Sequence, residues 1–130
     1  MSKRRRKWLC ILGTCLLPII AATFWLFQEV EYRRIVSPGS SHTAIVTYRR
    51  YESLRPKVPG QSSDKAGFIR IVDTRGTHYG KIPIPMVWMS DDLQWIPGGA
   101  RLPLVGEWDF AKREYRYRDS SGAEIVRTAR

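Results

Sequence analysis

GFIRIVD, at residues 67–73, is the segment that predicts a β-strand most clearly. Residues 43–48 predict a second strand because they are rich in β-branched side chains. Residues 78–84 predict a third, and Pro83 and Pro85 place its end at a sheet edge, since proline cannot donate to a β-ladder. These segments lie close together in the chain, which favours antiparallel pairing.

The remaining chain supports the same fold class. We expect short strands at residues 93–96, 102–110 and 123–126, separated by turns that contain glycine, proline or aspartate. No segment after residue 27 has the 3.6-residue period of an amphipathic helix. The sequence therefore predicts a small, mainly-β domain, built as an antiparallel meander or a blade-like sandwich.

One hairpin register follows from charge and aromatic pairing. A four-residue turn at residues 111–114 would set Phe110 opposite Tyr115 and Trp108 opposite Tyr117 on one face. The other face would then pair opposite charges, which favours this register. A tighter turn at residues 111–112 would place Asp109 against Glu114, so we predict the four-residue turn.

A second segment, WLCILGTCLLPIIAATFWLF at residues 8–27, has 20 residues and no charge. A helix of that length rises about 30 Å at about 1.5 Å per residue, the thickness of the hydrocarbon core of a bilayer. The sequence therefore predicts a transmembrane anchor. A cleaved signal peptide is an alternative, but the apolar run continues through Phe24-Trp25-Leu26-Phe27 beyond the small residues Ala21 and Ala22. A lipid-modified Cys15 and a twin-arginine signal at Arg5-Arg6 are further alternatives.

Five consecutive cations at residues 3–7 precede this segment. Such a cluster resists translocation, so the N-terminus should stay in the cytoplasm. The predicted organisation is a cytoplasmic basic flank at residues 1–7, an anchor at 8–27, a linker at 28–36 and an exported β domain at 37–130. The expected location is a bacterial inner membrane, with the C-terminal domain in the periplasm.

The composition excludes several kinds of stabilising and binding site after residue 27. The chain has 130 residues and a net charge of +10, and its cysteines, Cys10 and Cys15, both lie within the apolar segment. The remainder can therefore form neither an internal disulfide nor a thiolate metal site. Nucleic acid is a common partner of basic chains, but no nucleic-acid motif is present, and we expect none outside the membrane.

Two segments repeat one order of features: a turn, a strand, a connection, a strand and an Asp-x-x-Gly turn. The opening turns are Ser37-Pro38-Gly39-Ser40 and Ile96-Pro97-Gly98-Gly99, and the closing turns begin at Asp73 and Asp119. This pattern resembles the Ser-Pro-Asp-Gly repeat of bacterial β-propellers such as the Tol-associated periplasmic proteins, although glycine replaces the aspartate of the opening turn. The resemblance covers most of residues 36–126. It implies about two blade-like units, where a propeller has about 4–8 blades, and it implies binding surfaces rather than an activity.

Candidate catalytic residues are few. His42 and His78 have no spaced partner that would suggest a metal site. Asp91-Asp92 and Glu107-x-Asp109 could supply the paired carboxylates of a glycoside hydrolase, but acids in turns and on a polar hairpin face are the commoner explanation. The sequence therefore predicts no catalytic residues, no metal and no cofactor.

Aromatic, sulfur-containing and basic side chains are the better candidates for binding. Met86, Trp88 and Met89 form a strongly apolar segment, and Arg116 and Arg118 alternate along one strand. Exposed apolar clusters often mark partner surfaces, and the cations suit lipid headgroups or an acidic partner. We predict these five residues as partner-binding residues.

The expected function is that of a single-pass membrane-anchored accessory protein whose exported β domain binds a periplasmic protein and has no enzyme activity. The first alternative is an inhibitor or immunity-type protein that blocks an enzyme with the loop from Tyr51 to Ala66. The second is a hydrolase that uses Asp91, Asp92, Glu107 or Asp109.

Overall fold

A computed structural model describes residues 3–56, 59 and 65–130, with side chains from residue 13 onward. Helix α1 (Lys3–Phe27) leads into strands that form two antiparallel sheets. The first sheet contains β1 (Glu29–Val36), β2 (His42–Arg49), β3 (Gly67–Asp73) and β4 (His78–Ile84). The second contains β5 (Gln94–Ile96), β6 (Gly99–Leu102), β7 (Gly106–Asp109), β8 (Glu114–Arg118) and β9 (Glu124–Thr128). Short 3-10 helices lie at Arg50–Leu54 and Val87–Asp92.

In each sheet the strands lie side by side in the order of the chain. Every neighbouring pair is antiparallel, from β1–β2 through β8–β9. The prediction of a mainly antiparallel β domain is therefore confirmed. Residues 29–36, which the sequence analysis placed in a linker, form β1 and pair along their length with β2.

The core lies between the two sheets, where β4 packs against β7, β8 and β9. Ile69 and Ile82 from the first sheet and Leu102 and Trp108 from the second are almost completely buried there. The Trp108 indole Nε1 donates a hydrogen bond to the Gly80 carbonyl oxygen at 3.3 Å. This bond satisfies the one polar atom of the largest core side chain and connects the sheets.

The structure corrects the predicted transmembrane anchor at residues 8–27. Within the described part of the chain, no helix is both long and apolar enough to cross a membrane. The transmembrane, inner-membrane and periplasmic predictions depended on this anchor, and for the described residues they are wrong.

The predicted loop from Tyr51 to Ala66 begins within the first 3-10 helix, Arg50–Leu54. Residues 57, 58 and 60–64 lie outside the described residues, as do residues 1 and 2 of the basic flank. The alternative function as an inhibitor acting through this loop therefore stays a prediction.

The β7–β8 hairpin differs in register from the sequence prediction. Its loop does contain four residues, but they are 110–113 rather than 111–114. The cross-strand partners are shifted by two positions, so the same side chains share a face but meet different partners. The observed pairs are Gly106–Tyr117, Glu107–Arg116, Trp108–Tyr115 and Asp109–Glu114.

Two contacts outside the ladder explain this register. Phe110 leaves the strand and stacks on the His42 ring of the first sheet, with ring centroids 4.2 Å apart. Asp109 accepts a hydrogen bond from the backbone N–H of Lys112 at 3.1 Å, within the loop. The Asp109 carboxylate therefore caps the turn, although Asp109 pairs with Glu114 in the ladder. These tertiary and turn contacts outweigh the unfavourable cross-strand pair that the sequence analysis rejected.

The two Asp-x-x-Gly turns, which connect β3 to β4 and β8 to β9, share one geometry. The glycine N–H donates to the aspartate carbonyl oxygen at 3.1 Å in the Asp73 turn and 3.0 Å in the Asp119 turn. Both glycines have φ +82°. Each carboxylate also accepts from the backbone N–H groups two and four residues later, which are those of Arg75 and Thr77 and of Ser121 and Ala123.

These hydrogen bonds favour the charged form of each carboxylate. The pKa of Asp73 is lowered, mainly by the backbone hydrogen bond from Thr77. The pKa of Asp119 is lowered, mainly by the side-chain hydrogen bond from Ser121, at 2.6 Å. The two closing turns of the sequence repeat are therefore alike in structure and in electrostatics.

Candidate functional site

The turn between β6 and β7 is the most unusual backbone feature beside a cavity. The sequence predicts one strand over residues 102–110, but the chain reverses after Leu102. The Val105 N–H donates to the Leu102 carbonyl oxygen at 3.1 Å and closes this turn. Pro103 fixes a negative φ at the second turn position, and Leu104 has φ +65° at the third. This combination defines a type II turn, whose third position favours glycine.

Leu104 combines two unfavourable properties. The left-handed conformation costs a residue with a Cβ atom roughly 1–2 kcal/mol. Its side chain is nonetheless 89% exposed, so burial in the fold does not offset this cost. Glycine at this position would avoid both. Backbone strain that side-chain packing does not offset is characteristic of functional positions. Leu104 is therefore the first residue of the candidate site.

An apolar groove lies on one side of the Leu104 turn. Its volume is about 770 Å³. Carbon-rich side chains from three parts of the fold line it: the end of β4, the turn itself and strands β8 and β9. They are Pro83, Ile84, Pro85, Leu104, Val105, Tyr117 and Ile125. The groove therefore offers an apolar surface next to an apolar side chain that projects into solvent.

A smaller, more polar hollow of about 250 Å³ adjoins the same turn and shares Leu104, Val105, Tyr117 and Arg118 with the groove. Its charged lining consists of Arg101, Arg116 and Arg118 with Glu107 and Glu124. The Arg101 guanidinium pairs with the Glu107 carboxylate at 3.4 Å. Arg116 and Arg118 make no ion pair with any described carboxylate. Arg116 and Arg118 lie opposite Glu107 and Glu124 in the ladder without closing an ion pair, so both arginines remain exposed beside the turn.

The predicted partner-binding residues fall into two separate places. Arg116 and Arg118 lie exposed on β8, in the hollow beside Leu104. Trp88 lies on the second 3-10 helix, where it is 46% exposed and its Nε1 lies 3.2 Å from the Met86 sulfur. Met89, from the same helix, packs against the core. Among the described cavities, none is lined by residues from both places.

His42 is the centre of a cluster of rings at the edge between the sheets. Its ring stacks on Phe110 and also contacts Tyr79, with centroids 5.2 Å apart. Its Nδ1 lies 2.9 Å from the Ser41 Oγ. Ser41 Oγ lies 3.4 Å from Ser37 Oγ, which accepts the His42 backbone N–H. The cluster fixes the turn between β1 and β2 and holds Phe110 of the second sheet.

This serine–histidine arrangement lacks the third member of a catalytic triad. Asp73 pairs with His42 across the β2–β3 ladder. Its carboxylate, however, accepts from the backbone of Arg75 and Thr77 and from the Tyr79 hydroxyl. Burial, followed by the charge of Asp73, raises the pKa of Tyr79, so this tyrosine remains a hydrogen-bond donor. The described contacts give His42 no carboxylate that would orient it as a general base.

The four carboxylates considered for a hydrolase have other contacts or lie apart. Asp91, on the second 3-10 helix with Asp92, forms an ion pair with Arg33 of β1. Glu107 pairs with Arg101, and Asp109 caps the β7–β8 loop. The cavity that contains Glu107 and Asp109 holds only about 10 Å³. In the described residues, no three histidine, cysteine or acidic side chains group as metal ligands would.

No protein-family model, curated protein or solved structure matches this chain. The sequence analysis missed Leu104, because it placed residues 102–110 in one strand. The available signal was Pro103, which is favoured at the second position of a turn.

Proposed function

We propose that this protein is a binding module that holds an extended, acidic segment of a partner protein at the Leu104 turn. One observation carries the proposal: an exposed leucine occupies a strained backbone position that favours glycine. Folding gains nothing from that leucine, whereas a projecting apolar side chain can insert into, or pack upon, a partner.

The surroundings of Leu104 support an acidic, partly apolar partner. The groove on one side would bury apolar side chains of the partner. Arg116 and Arg118 in the adjoining hollow would receive carboxylates, since a guanidinium can bind a carboxylate through two parallel hydrogen bonds. The carboxylate of Asp119, at the rim of the groove, is already occupied by the hydrogen bonds of its own turn and competes little for these arginines.

An open strand edge next to the groove favours an extended partner. β9 is the last strand of its sheet, so its outer backbone groups face no neighbouring strand. Ile125 of β9 lines the groove, and Val126 is exposed. A partner segment that pairs with this edge would gain backbone hydrogen bonds and would lie along the groove. The edge strand β1 of the first sheet differs, because it carries a bulge and four charged residues, which discourage such pairing.

We also propose that the chain is related to the Ser-Pro-Asp-Gly repeats, and this relation agrees with a binding role. The sequential strand order in both sheets and the matching Asp-x-x-Gly turns support a relation to blade-like units. Proteins with such units commonly act through binding surfaces, which is the role proposed here.

Selection from a random peptide display library tests the proposal with the full chain as the target. We expect enriched peptides to contain an apolar residue next to aspartate or glutamate. Their affinity, measured by fluorescence anisotropy, should fall about tenfold or more in Leu104→Gly, the effect expected of a binding hot spot.

Trp88→Ala is the matched control, because it removes an exposed side chain of similar apolar character from a separate place. It should change the affinity less than about twofold. If Trp88→Ala abolishes binding and Leu104→Gly does not, the partner surface lies on the 3-10 helix and the proposal is wrong. Enrichment no greater than for the heat-unfolded chain would also overturn it.

A further inference from the structure

A second cleft opens between the sheets, where the start of β4 faces the end of β9. Its volume is about 720 Å³, within the range of roughly 300–1,000 Å³ typical of small-molecule sites. It shares no lining residue with the groove or the hollow beside Leu104. Its lining includes His78, Gly80, Tyr115, Arg127, Thr128 and Arg130.

The lining of this cleft carries positive charge without an acidic side chain. Arg127 and Arg130 make no ion pair with any described carboxylate. This differs from the hollow beside Leu104, where two glutamates share the lining with the arginines. Clustered cations repel one another unless an anion lies between them. The cleft is therefore electrostatically complementary to an anion.

A third arginine lies beside the cleft and connects its two walls. The Arg113 guanidinium donates to the His78 carbonyl oxygen at 3.3 Å. The Arg113 carbonyl oxygen accepts the Ala129 N–H at 2.7 Å, which extends the hydrogen bonding of the hairpin past the end of β9. These bonds fix the segment that carries Arg127 and Arg130 relative to the start of β4. Arg127 thus lies on backbone that pairs with Tyr115 of β8, and Arg130 directly follows the hydrogen-bonded Ala129.

The floor of the cleft is closely packed. The Tyr115 ring lies against Gly80, and a Cβ atom at position 80 would overlap that ring. Gly80 has φ +111° and its carbonyl oxygen accepts the Trp108 indole, so this backbone is held by the core. A rigid floor lowers the ordering cost of binding. The Tyr115 and Thr128 hydroxyl groups add hydrogen-bond donors to the cationic lining.

From these observations we infer that the cleft between β4 and β9 is a binding site for a small molecule that bears an oxyanion with at least two negative charges. Phosphate and carboxylate groups share the required chemistry, because both accept paired hydrogen bonds from a guanidinium. The Arg127 and Arg130 guanidinium groups bind the anion, and the Tyr115 and Thr128 hydroxyl groups orient it.

Calorimetric titration of the full chain at neutral pH tests this site, with pyrophosphate and citrate as probes. We expect at least one probe to bind with a sub-millimolar dissociation constant. The probe with the lower dissociation constant shows whether the site prefers phosphate or carboxylate groups. The double variant Arg127→Gln with Arg130→Gln should weaken binding at least about tenfold, because it removes both charge-assisted contacts.

The control is Arg49→Gln with Arg50→Gln, which removes the same charge from residues that line none of the described cavities. It should change the affinity less than about twofold. Equal weakening by both double variants would show that net charge alone attracts the probe, and would overturn the inference. In the wild-type chain, the tighter probe should shift the NMR signals of His78 and Thr128. Failure of both probes to shift them at millimolar concentration would refute the site without any variant.

Discussion

The Leu104→Gly substitution separates the roles of one side chain in folding and in binding. Replacing an apolar residue with glycine normally destabilises a protein, because apolar burial is lost and the unfolded chain gains freedom. Leu104 differs because its side chain is 89% exposed and its φ is +65°. The substitution should therefore leave the fold intact while it removes the apolar side chain proposed to contact the partner.

The expected change in the free energy of unfolding is the balance of three contributions. Relief of the left-handed conformation stabilises the folded state by about 1–2 kcal/mol. The greater freedom of glycine in the unfolded chain costs about 0.5–1 kcal/mol. Burying only the remaining tenth of a leucine side chain contributes about 0.2–0.3 kcal/mol, which is lost. The net prediction is a stabilisation of roughly 0.5 kcal/mol.

Urea unfolding, followed by tryptophan fluorescence, measures this change. Leu102→Ala is the matched comparison, because Leu102 is 1% exposed at the other end of the same turn. That substitution should cost roughly 2–5 kcal/mol. Ser40→Gly, at another exposed residue with φ +60°, should show a stabilisation similar to that of Leu104→Gly. A loss of more than about 1 kcal/mol in Leu104→Gly would show that the leucine packs against the folded protein, contrary to this prediction.

Three further predictions concern the turns and the core. The folded-state pKa values of Asp73 and Asp119 lie below the ordinary 3.8. The two charged carboxylates therefore stabilise the folded state fully at higher pH, and this stabilisation is lost as the pH falls from 3.8 through the lowered pKa values. Urea unfolding at stepped acidic pH should give a shallower dependence of the unfolding free energy on pH in Asp73→Asn with Asp119→Asn, and an unchanged slope would contradict this origin. Gly80→Ala should lower the free energy of chemical unfolding by roughly 2–4 kcal/mol, because φ is +111° and the new Cβ would overlap the Tyr115 ring. Gly76→Ala, with φ +82° and open space around the new Cβ, should lower it by only about 1–2 kcal/mol. Equal losses would contradict the packing of the cleft floor. Trp108→Phe removes the donor to the Gly80 carbonyl oxygen and should lower the thermal stability by the equivalent of roughly 1–3 kcal/mol, and a change below about 0.5 kcal/mol would mean that water replaces the indole.

Strand positions could be predicted well where local pattern determines them. The segment at residues 67–73 forms β3 at those residues, and the segment at 78–84 forms β4. The two Asp-x-x-Gly turns were also evident in the sequence, because the aspartate side chain and the glycine supply the hydrogen bonds and the positive φ within four residues. Such features depend on neighbours in the chain, so the sequence contains their cause.

The hairpin register and the Leu104 turn could not be derived in this way. The register of β7 and β8 depends on Phe110 stacking on His42, which is distant in the chain. Residues 102–110 have the composition of one strand, yet the turn at Pro103 and Leu104 divides them. The transmembrane prediction depended on the length and apolar composition of residues 8–27 and on the cations before them. It was wrong for the described residues, where no helix is long and apolar enough to cross a membrane.

The sequence predicts the mainly-β class, the positions of several strands and turns, and the basic character of the chain. It does not show which side chains come together at a surface. Leu104 is joined by Pro85 and Ile125, and His78 by Arg127 and Arg130, through the packing of β4 against the second sheet. The physical reason is that turns and strands follow from local backbone preferences, whereas a binding site requires contacts between residues far apart in the chain. Those contacts are selected by burial of the core between the sheets.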